Sequence, residues 1–219
     1  MGAIVTALSE GTGRLLKAGS KISFNAHIHA DGTPTPVVVQ VGYKFYPKGY
    51  VPPHKIVEVN VGVTDGHLFA DLDIPPNSVT RHDAFAPLPH AARIISFQPH
   101  MHTRGKAMTL EAILPNGDTQ VLSSVDHFNF NWQVAYVYAE DDAPLLPAGT
   151  ILHTIGIHDN TSANPNNPDP STWVGTGNAS YDDMLQCHEL LYYLTDEEYQ
   201  RELAERQNKG AGIEGESGH

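Results

Sequence analysis

Short runs of Val, Ile, Phe and Tyr recur along the chain, many alternating with polar residues and separated by Gly and Pro. A period of two marks a strand with one face toward a core, because successive side chains leave the backbone on opposite sides. The pattern predicts strands over residues 21–30, 37–46, 55–62, 93–102, 107–114, 120–123, 132–138, 151–157 and 185–193. Pro115-Asn116-Gly117-Asp118 reads as a hairpin turn joining two of them. One helix is expected over 199–207, opened by a capping box of Thr195 and Glu198 and supported by the pairs Glu197–Arg201 and Glu202–Arg206. Beyond it, the Gly- and Glu-rich residues 209–219 are expected to be disordered. The fold class is therefore all-β: an antiparallel, jelly-roll-like β-sandwich with a short C-terminal helix.

Hydrophobic residues make up 40% of 219 positions, enough to bury a core as one large or two small domains. The net charge of −12 argues against nucleic acid or an anionic membrane as partner, since both are negative themselves. No stretch approaches the ~20 apolar residues of a spanning helix, so no membrane insertion is expected. Residues 1–16 lack the basic start and apolar run of a signal peptide. A periplasmic or secreted location would thus need a signal on a segment upstream. The lone Cys187 cannot form an internal disulfide. Neither a Ser-His-Asp arrangement, a phosphate loop nor a Cys-rich zinc pattern stands out.

The chemistry lies in the histidines. Along 94–102 the alternation sets Ile95, Phe97 and Met101 on one face and Ser96, Gln98, His100 and His102 on the other, so two imidazoles can share one metal. With 13 histidines in the chain, roughly one His-x-His pair is expected by chance, so the pair needs support from elsewhere. His153 and His158 are five apart and on one strand face opposite ways. His158, at the strand end before the polar, Pro-punctuated loop 159–170, is the better placed to approach the pair. That loop should lie outside the sheet, beside a substrate opening or packed against the sandwich. His82, His90, His127 and His188 share no spacing and are expected to be structural.

Support comes from motifs in order. His100-Met101-His102-Thr103-Arg104-Gly105-Lys106 resembles the His-x-His-x-x-Gly-(Lys/Arg) segment of the copper type II, ascorbate-dependent monooxygenases, the family of peptidylglycine α-hydroxylating and dopamine β-monooxygenases. Ile74-Pro75-Pro76 resembles that family's Ile-Pro-Pro-Gly turn, with Asn77 in place of the glycine. Phe128-Asn129-Phe130-Asn131-Trp132-Gln133 is similar to its Asp-Phe-Asn-Phe-Gln stretch, and Pro147-Ala148-Gly149-Thr150 to its Pro-x-Gly-Asp turn. Asp182-Asp183-Met184 resembles its Asp-Glu-Met or Glu-Glu-Met motif, and Leu190-Leu191-Tyr192-Tyr193 its Tyr-Tyr ending. These matches span about residues 70–195.

The resemblance implies that His100, His102 and Met184 hold the copper at which oxygen is activated and a C–H bond of a small organic substrate is hydroxylated. Ascorbate or another donor would supply electrons. A thioether suits Cu(I), imidazole suits both copper states, and three protein ligands leave a position open. The family's second copper is held by a His-His pair and a third histidine. His27, within Phe24-Asn25-Ala26-His27-Ile28-His29, matches the third, but this chain has no His-His dipeptide. The domain reading is accordingly 1–47 as the end of an upstream β-domain, 48–195 as a copper-binding C-terminal sandwich, and 196–219 as helix and tail. A longer protein, or a partner that donates electrons, would complete it. The lack of disulfides gives it a bacterial style. Two other readings stay open: a non-catalytic copper-binding sandwich, and a structural or carbohydrate-binding sandwich with incidental histidines.

Overall fold

A computed structural model describes residues 10–23, 32–63 and 72–216, with side chains as far as 209. In chain order the strands are β1 (Thr12–Gly13), β2 (His54–Lys55), β3 (Val57–Asn60), β4 (Val79–Pro87), β5 (Ala92–His100), β6 (Gly105–Ile113), β7 (Thr119–Val125), β8 (Tyr136–Val137), β9 (Leu145–Leu146), β10 (Ile151–Asp159) and β11 (Gln186–Tyr193), followed by helix α1 (Asp196–Glu216). One sheet runs β4-β10-β6-β7 and the other β3-β11-β5-β8, with β9 also on β5, and every pairing within them is antiparallel. β1 and β2 form a separate parallel pair. The protein is an all-β, antiparallel, jelly-roll-like sandwich with a C-terminal helix.

The inner faces meet in one apolar cluster. Ile94 and Phe97 of β5 and Leu191 of β11 pack with Met108 and Leu110 of β6 and Leu152 of β10, all at 1% exposure or less. Truncating a buried aromatic such as Phe97 in such a layer costs about 3–5 kcal/mol, by lost transfer energy and the cavity left behind. Ile94 and Phe97 share this core although three residues apart, because the β5–β11 register skips Ile95 between the pairs Leu191–Ile94 and Leu190–Ser96. Ile95 accordingly leaves the Phe97 face and packs with Ile56, Tyr192 and Leu194. Simple alternation had set it on the Phe97 side; the bulge reverses it.

A carboxylate is sealed into this interior. Glu189 is fully buried and accepts the Cys187 thiol at 2.8 Å. Burial pushes its carboxyl up to about 8, against the thiol hydrogen bond. Burial likewise raises Cys187 well above the usual thiol range.

Other departures from the pattern are instructive. Residues 37–46 form no strand; Val37, Val38 and Phe45 are at least 70% exposed, since β-propensity without a pairing edge makes no ladder. Of the 132–138 segment only Tyr136–Val137 is strand, with Tyr138 N–H donating to Ile95 O at 2.9 Å. The expected strand over 21–30 lies mostly outside the described residues. α1 continues through Gly210 to Glu216 instead of ending at 207, because extending an established helix needs no new nucleus, and the last residues of the expected disordered tail, 217–219, lie outside the described residues. Its start follows the capping box: Glu198 N–H donates to Thr195 Oγ1 at 3.2 Å, and Thr195 N–H to Glu198 Oε2 at 2.8 Å. No helix among the described residues is long and apolar enough to cross a membrane.

Candidate metal centre

β5 ends at His100, and His102 opens the turn into β6, its carbonyl accepting Gly105 N–H at 3.1 Å. The turn is tight because position 105 has no side chain: a Cβ there would fall 2.6 Å from Met101 Cβ and 2.9 Å from Phe128 Cδ1. Across the sheet His100 faces Gln186 of the antiparallel β11, and two residues further each way stand His102 and Met184. One atom joins them. Asp183 Oδ1 accepts both His102 N–H at 2.8 Å and Met184 N–H at 2.9 Å, so the two amides lie within about 6 Å of each other.

The rings of His100 and His102 have centroids 5.4 Å apart and planes at 84°. At a metal–nitrogen distance of ~2.0 Å a ring centroid sits roughly 3.1 Å from the metal, so two imidazoles at tetrahedral to trigonal angles have centroids about 5.1–5.4 Å apart. The observed separation fits a shared ion. Ring orientation is set from behind. His100 Nδ1 bonds Gln133 Oε1, and the Gln133 amide is held by Nε2 donating to Phe130 O at 3.0 Å and Met101 O at 3.3 Å. His102 Nδ1 donates to Asp182 O at 3.3 Å, and Phe130 packs against the ring at 5.9 Å and 74°. Both rings spend Nδ1–H on an oxygen acceptor, which makes Nε2 the basic nitrogen of each, the tautomer that metal-bound histidines usually carry.

Met184 is 7% exposed and His102 1%. Two imidazoles and a thioether at adjoining positions form a donor set suited to copper, Cu(I) above all, and poorly suited to Mg²⁺ or Ca²⁺. Among the described residues no three His, Cys, Asp or Glu side chains form a metal-holding group.

Asp183 is the hub of this region. Fully buried, it also accepts Arg104 N–H on Oδ2 at 3.1 Å and lies 3.4 Å from His158 Nε2. Burial pushes its carboxyl up, but the hydrogen bonds from His158 and from the amides of His102 and Met184 outweigh this and hold it below the ordinary carboxylate range. Arg104, 1% exposed, donates to Asn160 Oδ1 at 2.8 Å, Tyr181 O at 2.8 Å and Asp169 O at 3.4 Å. It thus ties the His102 turn to the 159–170 loop, which packs on that turn through Asn164 Nδ2–H to Thr103 O at 3.1 Å.

His158 is fully buried beneath Met184, its Nε2 donating to Met184 O at 3.1 Å. His27 lies outside the described residues. His153 is held apart from the pair on the outer face of its sheet, bonded to Asp83 at 2.7 Å and Glu111 at 3.1 Å. Of the histidines read as structural, His188 has its ring 6.4 Å from that of His100, with contacts to Glu58 and Gln186. His82 stands against His158. The sequence missed Gln133 and Asp183 as functional positions, though both sit in the motif segments.

Two further motif residues have backbone reasons. Asn77, where the family turn carries glycine, has φ +51°, the single non-glycine with positive φ among the described residues. Asn tolerates this left-handed conformation better than most residues. Gly149 in the Pro-x-Gly turn has φ +82°.

No protein-family model matches the chain, and no curated protein matches it. Among solved structures it is similar to the infectious bursal disease virus VP2 subviral particle, at 12% identity and TM-score 0.30 over 66% of this chain and 34% of that one. The T13 particle of that virus gives 9% identity and TM-score 0.29, over 66% and 32%. The chain spans about a third of the length of these structures, and likeness at this level carries no argument about function.

Proposed function

We propose that this chain is the copper-binding, oxygen-activating domain of a monooxygenase that hydroxylates a C–H bond of a small organic substrate, with His100, His102 and Met184 as the metal ligands. One observation carries the reading: segments distant in sequence, 128–133 and 182–184, converge on the His-x-His turn and bond to its ring nitrogens and its backbone. When bound, copper supplies the redox centre at which oxygen is activated, with electrons from ascorbate or another donor. The chain's own residues orient and exclude. Gln133 and the Asp182 carbonyl hold the two rings in the binding tautomer, Asp183 locks the His102 and Met184 backbones together, and Phe130 shields one ring from water. The ordered resemblance, and the left-handed residue where the family turn has glycine, support the same assignment. The electron would come from an upstream domain or a partner.

A non-catalytic copper-binding sandwich would use the same three ligands. Copper-loaded protein freed of excess metal separates the two. The monooxygenase reading expects one copper equivalent held by these three ligands and ascorbate-dependent oxygen consumption, both lost in the His100→Ala/His102→Ala variant. Stoichiometric copper without oxygen consumption, with donor and candidate substrates present, leaves only the binding reading. A folded chain that takes up no copper removes both.

A further inference from the structure

β4 is an edge strand whose inward positions are Thr80, His82, Ala84 and Ala86. Antiparallel pairing with β10 sets Thr80 across from His158, and His82 across from Gly156. With no side chain opposite it, the His82 ring leans along the strand toward His158. Their centroids are 5.1 Å apart with planes at 76°.

The hydrogen bonds at the far nitrogens make this contact unusual. His158 Nε2 faces Met184 O at 3.1 Å and the Asp183 carboxylate at 3.4 Å, both acceptors only, so it carries a proton. His82 Nε2 lies against the Asp73 backbone, donating to its O at 3.2 Å in one tautomer and accepting its N–H at 3.4 Å in the other. In the first tautomer both neutral rings direct an Nδ1 lone pair at the other across 3.2 Å. Two lone pairs at that distance repel unless a proton or a metal ion lies between them. The tautomers are those that backbone acceptors impose on metal-bound imidazoles.

The separation selects a geometry. Two nitrogens each ~2.0 Å from an ion are about 2.8 Å apart at a right angle, about 3.3 Å at the tetrahedral angle and about 4.0 Å in line. The observed 3.2 Å matches the tetrahedral value. Thr80 Oγ1, buried and without a hydrogen-bond partner among the described residues, faces inward directly across from His158, a ready acceptor for a water on such an ion. His82 is only half-buried, which leaves an approach from solvent.

We propose that His82 and His158 form a second metal site, taking a divalent ion of zinc type through their Nδ1 atoms, with solvent completing a tetrahedral shell. The site is independent of the His100–His102–Met184 reading and stands even if that fails. It adjoins the other centre, because His158 holds the carbonyl of Met184 from the far side of its ring.

Calorimetric titration of the full chain with zinc(II) alone tests it, in a His100→Ala/His102→Ala background whose β-sheet signal by circular dichroism matches the parent. The expected result is one zinc per chain, weakened at least 100-fold by adding His82→Gln and largely restored by His82→Cys, which returns a metal-binding donor. Should that background not fold, His82→Gln alone in the otherwise native chain must lower zinc stoichiometry by one. No zinc uptake, which would leave a shared proton between the rings, overturns the proposal. So does uptake indifferent to His82→Gln, which would mark an adventitious ion only at other histidines.

Discussion

The His100–His102 turn and the His153 cluster both hold histidine rings among oxygen acceptors, yet they use their ring nitrogens differently. At His153 each nitrogen meets a carboxylate, Asp83 on one side and Glu111 on the other, while Phe85 stacks on the ring at 4.4 Å. Both nitrogens are spent, and the ring becomes a clamp between β4 and β6. At His100 and His102 the Nδ1 atoms meet neutral amide oxygens, which makes Nε2 the basic nitrogen, as the proposed copper site requires. On the proposed reading, the second nitrogen's partner separates a binding histidine from a structural one. Two buried carboxylates repeat the lesson: Asp183 and Glu189 are both fully buried, but the His158 ring and the amides of His102 and Met184 hold the first low while one thiol leaves the second high.

The largest effect breaks the comparison at its centre. Copper titration of His100→Ala/His102→Ala should show the loss of one copper equivalent, whereas His153→Phe, although it loosens the clamp, should keep it; equal losses would erase the distinction. Next is Asp183→Ala, which leaves buried amides unpaired and unlocks His102 from Met184. Chemical denaturation should show a loss of about 3–5 kcal/mol, and chelator competition a fall in copper affinity of about 10–100-fold.

Glu189 sharpens the carboxylate contrast through pH. Its folded value of about 8 lies above the ordinary 4.5. The unfolded chain therefore releases this proton first, and the group's contribution is complete below pH 4.5 and lost as pH rises to about 8. Denaturation midpoints should fall across that window, and Glu189→Gln should flatten the slope by a few kcal/mol. Asp183 slopes the other way, its contribution lost on acidification below the ordinary value of 3.8. The smallest effect is Gln133→Leu, which frees the His100 ring to rotate. Copper competition should show a loss of about tenfold, or ~1.4 kcal/mol, with stability little changed.

Much of the sandwich is legible in the sequence, since strands such as β6, β10 and β11 are rich in apolar residues and fall within about two residues of the predicted bounds. β4 is not legible. Its inward positions are Thr80, His82 and two alanines, and its outward ones include Arg81 and Asp83, so a nine-residue strand carries almost no hydrophobic signal. The role of His82 was hidden with it. The opposite error arose at 37–46, where strong alternation has no partner to pair with. Ile95 shows a third limit, because a bulge shifts faces by one residue with nothing local to announce it. At the candidate site the spacing of His100 and His102 and the Asp-Asp-Met motif could be read directly. That Asp183 bonds three amides of two segments, and that Gln133 sets a ring from 33 residues away, depends on long-range folding that no local pattern encodes.

X-ray absorption spectroscopy of the Cu(I)-loaded chain tests the central claim most directly. The account predicts two imidazole nitrogens and one long sulfur contact at the metal, with Met184→Leu removing the sulfur and keeping the nitrogens. A copper shell without sulfur, or a sulfur signal unchanged by Met184→Leu, would contradict it.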